Sequence, residues 1–145
     1  MLGSLVALAF AGVSQTPAPV AVGFGLAASR PMLGVRAVSM AAAPTGSRVA
    51  LGMEDNTIRI IDAATRQTVK VLQGHTRPVQ AIAWSKDGTR IASGDERAKI
   101  YLWNTKTWAR TAEISGHTRP IQNLDFNAAS NQLVSTGQDD VVKIW

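Results

Sequence analysis

The chain predicts an all-β fold assembled from repeats, and three features carry that prediction. Gly74-His75-Thr76-Arg77-Pro78 returns further along as Gly116-His117-Thr118-Arg119-Pro120. A tryptophan follows each histidine at one and the same distance, Trp103 after His75 and Trp145 after His117. Within a unit the apolar residues recur at a period of two, and no stretch shows convincing helical periodicity. The step between the two copies falls in the range of about 40–45 residues that marks an array of supersecondary units. Such arrays mostly offer surfaces rather than chemistry.

The elements follow in order. One repeat upstream of the second unit lies a worn copy: residues 44–52 align with 86–94, and 57–62 with 99–104. There Ile61 stands where the tryptophan would be, and Leu33 where the histidine would be. This first unit reads as strands near 35–40, 48–51, 57–62 and 68–72. The second opens with a strand apolar on both faces, Val79, Ala81 and Ala83 against Gln80, Ile82 and Trp84, as expected of a strand buried between neighbouring sheets. Lys86-Asp87-Gly88 is a turn, because aspartate bonds its own backbone and glycine supplies positive φ. Strands at 90–94 and 99–104 flank the polar turn Asp95-Glu96-Arg97. Thr105-Lys106-Thr107 turns the chain into a fourth strand near 110–114. The third unit runs to Trp145, so about two and three-quarter four-stranded units are expected.

A glycine-histidine pair, a Ser-Gly turn further on, and a strand ending in Trp-Asn resemble the WD-repeat (WD40) β-propeller family. The resemblance covers residues 30–145, with units about 33–73, 74–115 and 116–145, the last truncated. It implies an incomplete propeller of four-stranded blades around a channel. It also implies that each blade is tied by a buried tetrad of histidine, serine or threonine, aspartate and tryptophan. In the third unit these roles fall to His117, Ser135, Asp139 and Trp145. The second has His75, Ser93 and Trp103, with Arg97 at the aspartate position, so that His75 lacks an acceptor unless Asp95 or Glu96 reaches it. The first keeps only Asp55, with Leu33, Leu51 and Ile61 at the other three positions. Buried polar groups need partners, and a satisfied network stiffens its surroundings. Asp139→Ala is therefore expected to destabilise more than Arg97→Ala.

Family propellers usually close with seven blades, roughly 300 residues. With 145 residues, two readings are open: a piece of a longer chain, or a chain that completes a ring by self-association through open blade edges. Residues 1–29 carry no charge. The apolar run 2–10 and the small-x-small Ala9-Phe10-Ala11 fit a signal peptide, but no lysine or arginine precedes the run. The alternative is a linker or strand inside a longer frame. Export and a cytoplasmic location are thus both open, and the absence of cysteine fits either. Ser14-Gln15-Thr16-Pro17 interrupts the segment too early for a membrane span.

The formal net charge is +5. Arg48, Arg59, Arg66, Lys70, Arg90, Lys99 and Arg110 are dispersed among acids, whereas a nucleic-acid footprint gathers basic residues on one face. Nucleic acid is not the expected partner. His117, Ser135 and Asp139 hold the ingredients of a hydrolase triad, but a triad is defined by geometry. The second unit keeps two of the three, which fits a structural tetrad better. Two histidines on separate units do not make a metal site. Asp139-Asp140 lacks the spacing of a calcium loop, and no glycine loop cradles a phosphate. No catalytic residue, cofactor or metal is expected.

Surface remains. The resemblance places partner contacts on loops at one end of the ring: Arg36, Val38 and Glu54 in the first unit, Pro78, Gln80 and Glu96 in the second, Pro120, Gln122 and Gln138 in the third. Arg77 and Arg119 fall on the duplicated loop, and loops on a rigid frame collect binding residues. Trp108 lies in a turn at the opposite end, where it serves as a second contact or shields a blade edge. The expected role is a non-catalytic scaffold for protein or peptide partners. The alternative is a regulatory or substrate-recruiting propeller of a larger enzyme whose catalytic domain lies outside this chain.

Overall fold

The computed structural model describes residues 34–145. Segment 1–29, with its candidate cleavage site, and Leu33 lie outside the described residues.

Eleven strands run through the described residues. β1 (Ala37–Ala42), β2 (Arg48–Met53), β3 (Ile58–Asp62) and β4 (Gln67–Leu72) form the first antiparallel sheet in chain order. β5 (Val79–Trp84), β6 (Arg90–Asp95), β7 (Lys99–Asn104) and β8 (Arg110–Ser115) form the second. β9 (Ile121–Phe126), β10 (Leu133–Gly137) and β11 (Val142–Ile144) form the third. These are propeller blades. β1 begins and ends two positions later than expected, and β2 and β6 run on to Met53 and Asp95.

The backbone repeats as faithfully as the sequence. Asn56, Ala98 and Asp140, each one repeat from the next, all take left-handed φ of 68°, 62° and 59°. Gly46, Gly88 and Ser130 do the same at 80°, 75° and 58°. Each hairpin therefore turns through one geometry, whichever side chain occupies it. At Gly88 the expected turn chemistry is present: Asp87 Oδ1 accepts the Thr89 N–H at 2.9 Å.

The core lies between sheets. Ala50, Ile58, Ile60 and Leu72 of the first sheet pack against Val79, Ile82, Trp84, Ile91, Tyr101 and Trp103 of the second. The far face of the second sheet, with Ala81, Ala83, Ala92 and Ile100, packs against Ile121, Leu124, Phe126 and Leu133. The middle sheet is thus covered on both sides, and each buried isoleucine contributes about 1.5–3 kcal/mol. Val79 corrects the expected alternation. The register of β5 against β6 slips at Gln80, and this bulge turns Val79 to the side of Ile82 and Trp84 rather than that of Ala81 and Ala83.

The second and third sheets approach closely at Gly94 of β6. A Cβ there would lie 2.5 Å from Ile121 Cγ2 and 2.7 Å from its Cβ, so only glycine admits β9 at this distance. Polar ties cross the same junctions. Ser39 Oγ donates to the Val79 carbonyl at 2.8 Å, and the Asp87 N–H donates to Ser130 Oγ at 3.0 Å.

Candidate partner-binding surface and its hydrogen-bonded frame

Loops leading into β1, β5 and β9, together with the β2–β3, β6–β7 and β10–β11 turns, form one end of the molecule. Each inner strand bulges at an equivalent residue: Val38, Gln80 and Gln122. These three line a shared cleft of about 440 Å³. Beside each bulge the chain closes in the same way. The Glu54 N–H donates to the Arg36 carbonyl at 3.0 Å, Glu96 to Pro78 at 3.3 Å, and Gln138 to Pro120 at 2.9 Å. The structure therefore brings each expected triplet together.

Side chains at this end differ from unit to unit. Arg36 pairs with Glu54 at 2.5 Å on an exposed surface. Gln80 donates to Glu96 Oε1 at 2.7 Å. Arg119 reaches the Gln138 carbonyl at 3.5 Å. Arg77 is exposed.

Beneath the loops lie two hydrogen-bonded chains. In the third sheet His117 Nδ1 meets both Asp139 oxygens at 2.9 and 3.0 Å, and its Nε2 lies 2.8 Å from Ser135 Oγ. Trp145 Nε1 donates to the same Oγ at 2.9 Å. In the second sheet His75 Nε2 lies 2.7 Å from Ser93 Oγ, which accepts from Trp103 Nε1 at 2.8 Å. Donor bookkeeping assigns the protons. Tryptophan can only donate and an ionised aspartate can only accept, so histidine carries its proton on Nδ1 and the serine hydroxyl donates to Nε2. Every link is satisfied.

The carboxylate of the second chain is Asp95, whose Oδ2 lies 2.8 Å from His75 Nδ1. Of the two acids expected to relieve His75 where Arg97 holds the aspartate position, Asp95 is the one that reaches it. One repeat back from Asp139 stands Arg97, but the carboxylate enters from two positions earlier, at the end of β6. The third sheet shows why either route works. A Cβ on Gly137, the equivalent of Asp95, would lie 2.7 Å from both Asp139 Oδ1 and His117 Nδ1. Position 137 must therefore be bare if the acid comes from 139, whereas an acid at 95 fills the same space directly. In the first sheet this position is the fully buried Met53. Asp55 instead accepts from Thr57 Oγ1 at 2.5 Å and from Arg59 Nη2 at 2.8 Å.

Both acids are held as anions. The Thr118 N–H is the largest influence on Asp139; with His117 it outweighs the opposing effect of burial and brings the carboxyl down to about 2. At Asp95 burial pushes upward, yet His75 and the N–H groups of Lys99 and Arg97 leave the net shift downward.

Chemically the arrangement is a brace. Ser93 and Ser135 are 0% and 1% exposed, and each Oγ is engaged by a tryptophan on one side and a histidine on the other. A nucleophile needs room for a substrate carbonyl, which these buried oxygens lack. Among the described residues no cluster of three or more His, Asp or Glu is placed to hold a metal, and no helix is long and apolar enough to cross a membrane.

The sequence offers Asp95 only as one of two acids that could reach His75. The contact of Arg48 with Trp108, its Cζ 5.8 Å from the ring centroid, joins different units, and no short-range pattern announces it.

A family model described as "WD domain, G-beta repeat" matches residues 66–104 and 108–145, more than half of the chain. Each match starts at or near the outermost strand of one sheet and runs through the three inner strands of the next, so a sequence repeat ties neighbouring sheets together. Two similar solved structures are described as "Structure of U3-55K" and "Crystal structure of RRP9 WD40 repeats". Each is 25% identical to this chain with a TM-score of 0.75, over 78% of this chain. The match spans 36% of the length of either structure. No curated protein matches the sequence.

Proposed function

This chain belongs to the WD40, G-beta repeat family, and on that premise we propose that it is a non-catalytic scaffold that binds protein or peptide partners through the end carrying the three bulged strands. The observation that carries this reading is the cleft of Val38, Gln80 and Gln122, around which the same backbone closure recurs three times with different side chains. A fixed frame with variable contacts is what partner selection requires. Arg77 and Arg119 stand on equivalent loops as hydrogen-bond donors, and arginine is enriched where interfaces derive their energy. The buried chains of His75 and His117 act as frame, holding these loops in place.

Self-association belongs to the same reading. Met40 on the first sheet is 67% exposed, and Val142 and Ile144 on the third are 64% and 66% exposed. Apolar surface of this kind suits a further sheet or a second copy. Sedimentation of the full chain is expected to show assembly that grows with concentration. A monomer at every concentration would remove that part of the proposal.

The surface itself is tested by photo-crosslinking from positions 80 and 122. Discrete adducts are expected there, and they should disappear when Arg77 and Arg119 are replaced by alanine. Adducts from 80 and 122 that persist unchanged in the Arg77→Ala, Arg119→Ala variant would contradict the assignment.

A further inference from the structure

The two junctions between sheets are built alike but finished differently. Arg90 lies at the junction of the second and third sheets. Its guanidinium donates to the Ser130 carbonyl and sits 5.7 Å over the Phe126 ring. One repeat back, Arg48 and Gly88 occupy the matching positions at the first junction. Here the carbonyl is already taken: Gly88 O accepts from Trp84 Nε1 at 3.2 Å and from Thr105 Oγ1 at 2.7 Å. A carbonyl has two lone pairs, so Arg48 is left without its equivalent acceptor.

No other acceptor replaces it among the described residues. Asp62 is the cross-strand neighbour of Arg48, but its Oδ2 accepts from Ser47 Oγ at 3.0 Å. Its Oδ1 accepts the N–H groups of Ala64 and Thr65 at 2.9 and 3.0 Å. Arg48 forms no ion pair among the described residues. Its guanidinium Cζ lies 5.8 Å from the centroid of the Trp108 ring, a cation–π contact that takes up none of its N–H groups. Trp108 is placed by a left-handed φ of 60° and an N–H bond to the Asn104 carbonyl at 2.8 Å.

Arg48 and Trp108 line a groove of about 510 Å³ together with Lys106, and no acid lines it. Lys106 is a second exposed cation without an ion pair among the described residues. The groove lies among the turns opposite the Arg77 and Arg119 loops. We propose that this groove is a second binding site, taking the carboxylate side chains of an acidic peptide, with Arg48 as the bidentate donor and Lys106 as a point charge beside it. A guanidinium whose N–H groups have no acceptor among the described residues can match a carboxylate with two parallel bonds. The site is independent of the end-loop surface.

The test is fluorescence anisotropy of a labelled glutamate-rich peptide titrated with the full chain. Saturable binding is expected, lost when the peptide's glutamates become glutamine. Arg48→Gln and Lys106→Gln should each weaken it about tenfold, or about 1.4 kcal/mol. Neither side chain is buried, and near-ultraviolet circular dichroism verifies that the variants keep their packing. Arg77→Ala with Arg119→Ala should leave this affinity unchanged, which separates the groove from the end loops. Absence of binding up to about 1 mM, insensitivity to both glutamine variants, or loss only with Arg77 and Arg119 would overturn the proposal. So would a single-stranded oligonucleotide that binds the groove more tightly than the peptide.

Discussion

Asp95 and Asp139 reach equivalent histidines from sequence positions that do not correspond, and the difference can be measured. Asp95→Ala removes the acceptor of a buried His75 N–H and is expected to cost about 1–3 kcal/mol. Arg97→Ala alters an exposed turn and is expected to stay within about 0.5 kcal/mol. Denaturant titration of the two variants decides it; equal losses would show that Asp95 is not the brace. Acid should have a related effect. Asp139 titrates at about 2 in the fold against an ordinary 3.8, and Asp87, held mainly by Ser85 Oγ and the Thr89 N–H, also at about 2. Groups depressed in this way stabilise fully above the unfolded value and lose that contribution as pH falls from about 4 through about 2. The wild-type chain should weaken across that window, with a shallower dependence in Asp139→Asn, read from tryptophan fluorescence. At this scale the His, Ser and Trp members are legible, because their spacing is copied along the chain. So is Asp139, whereas beside His75 the sequence leaves Asp95 and Glu96 both open, because a carboxylate can enter one volume from more than one backbone position.

At the scale of strands, hydrophobic alternation and turn residues locate every element of the first two units to within two positions. What alternation cannot show is the bulge. A strand apolar on both faces has no polar edge to mark its phase, so the slip at Gln80 that turns Val79 over leaves no trace in the pattern. The same bulges at Val38 and Gln122 build the cleft, which makes the least legible feature of the strands the one nearest the proposed site. Close approach between sheets is likewise silent in the sequence. Gly94→Ala places a methyl group against Ile121 and should cost about 1–3 kcal/mol by overpacking, seen as a lower midpoint in thermal unfolding. An unchanged midpoint would mean that β6 and β9 are more loosely apposed than described.

In the molecule as a whole, the order of sheets is the order of the chain, and each sheet is stabilised mainly by its neighbour. The middle sheet has both faces covered and contains one complete hydrogen-bonded chain, so it should open last. As proposed, the two ends of the array have separate uses: bulged strands and variable loops at one, and the Arg48–Trp108 groove at the other. Neither end needs to move if the frame is rigid. Amide hydrogen exchange followed by NMR tests that claim most directly. The account predicts the slowest exchange in β6 and β7, at Ile91–Gly94 and Ile100–Trp103, with fast exchange in the loops at 76–77 and 118–119. Exchange in β6 and β7 as fast as in those loops would contradict it.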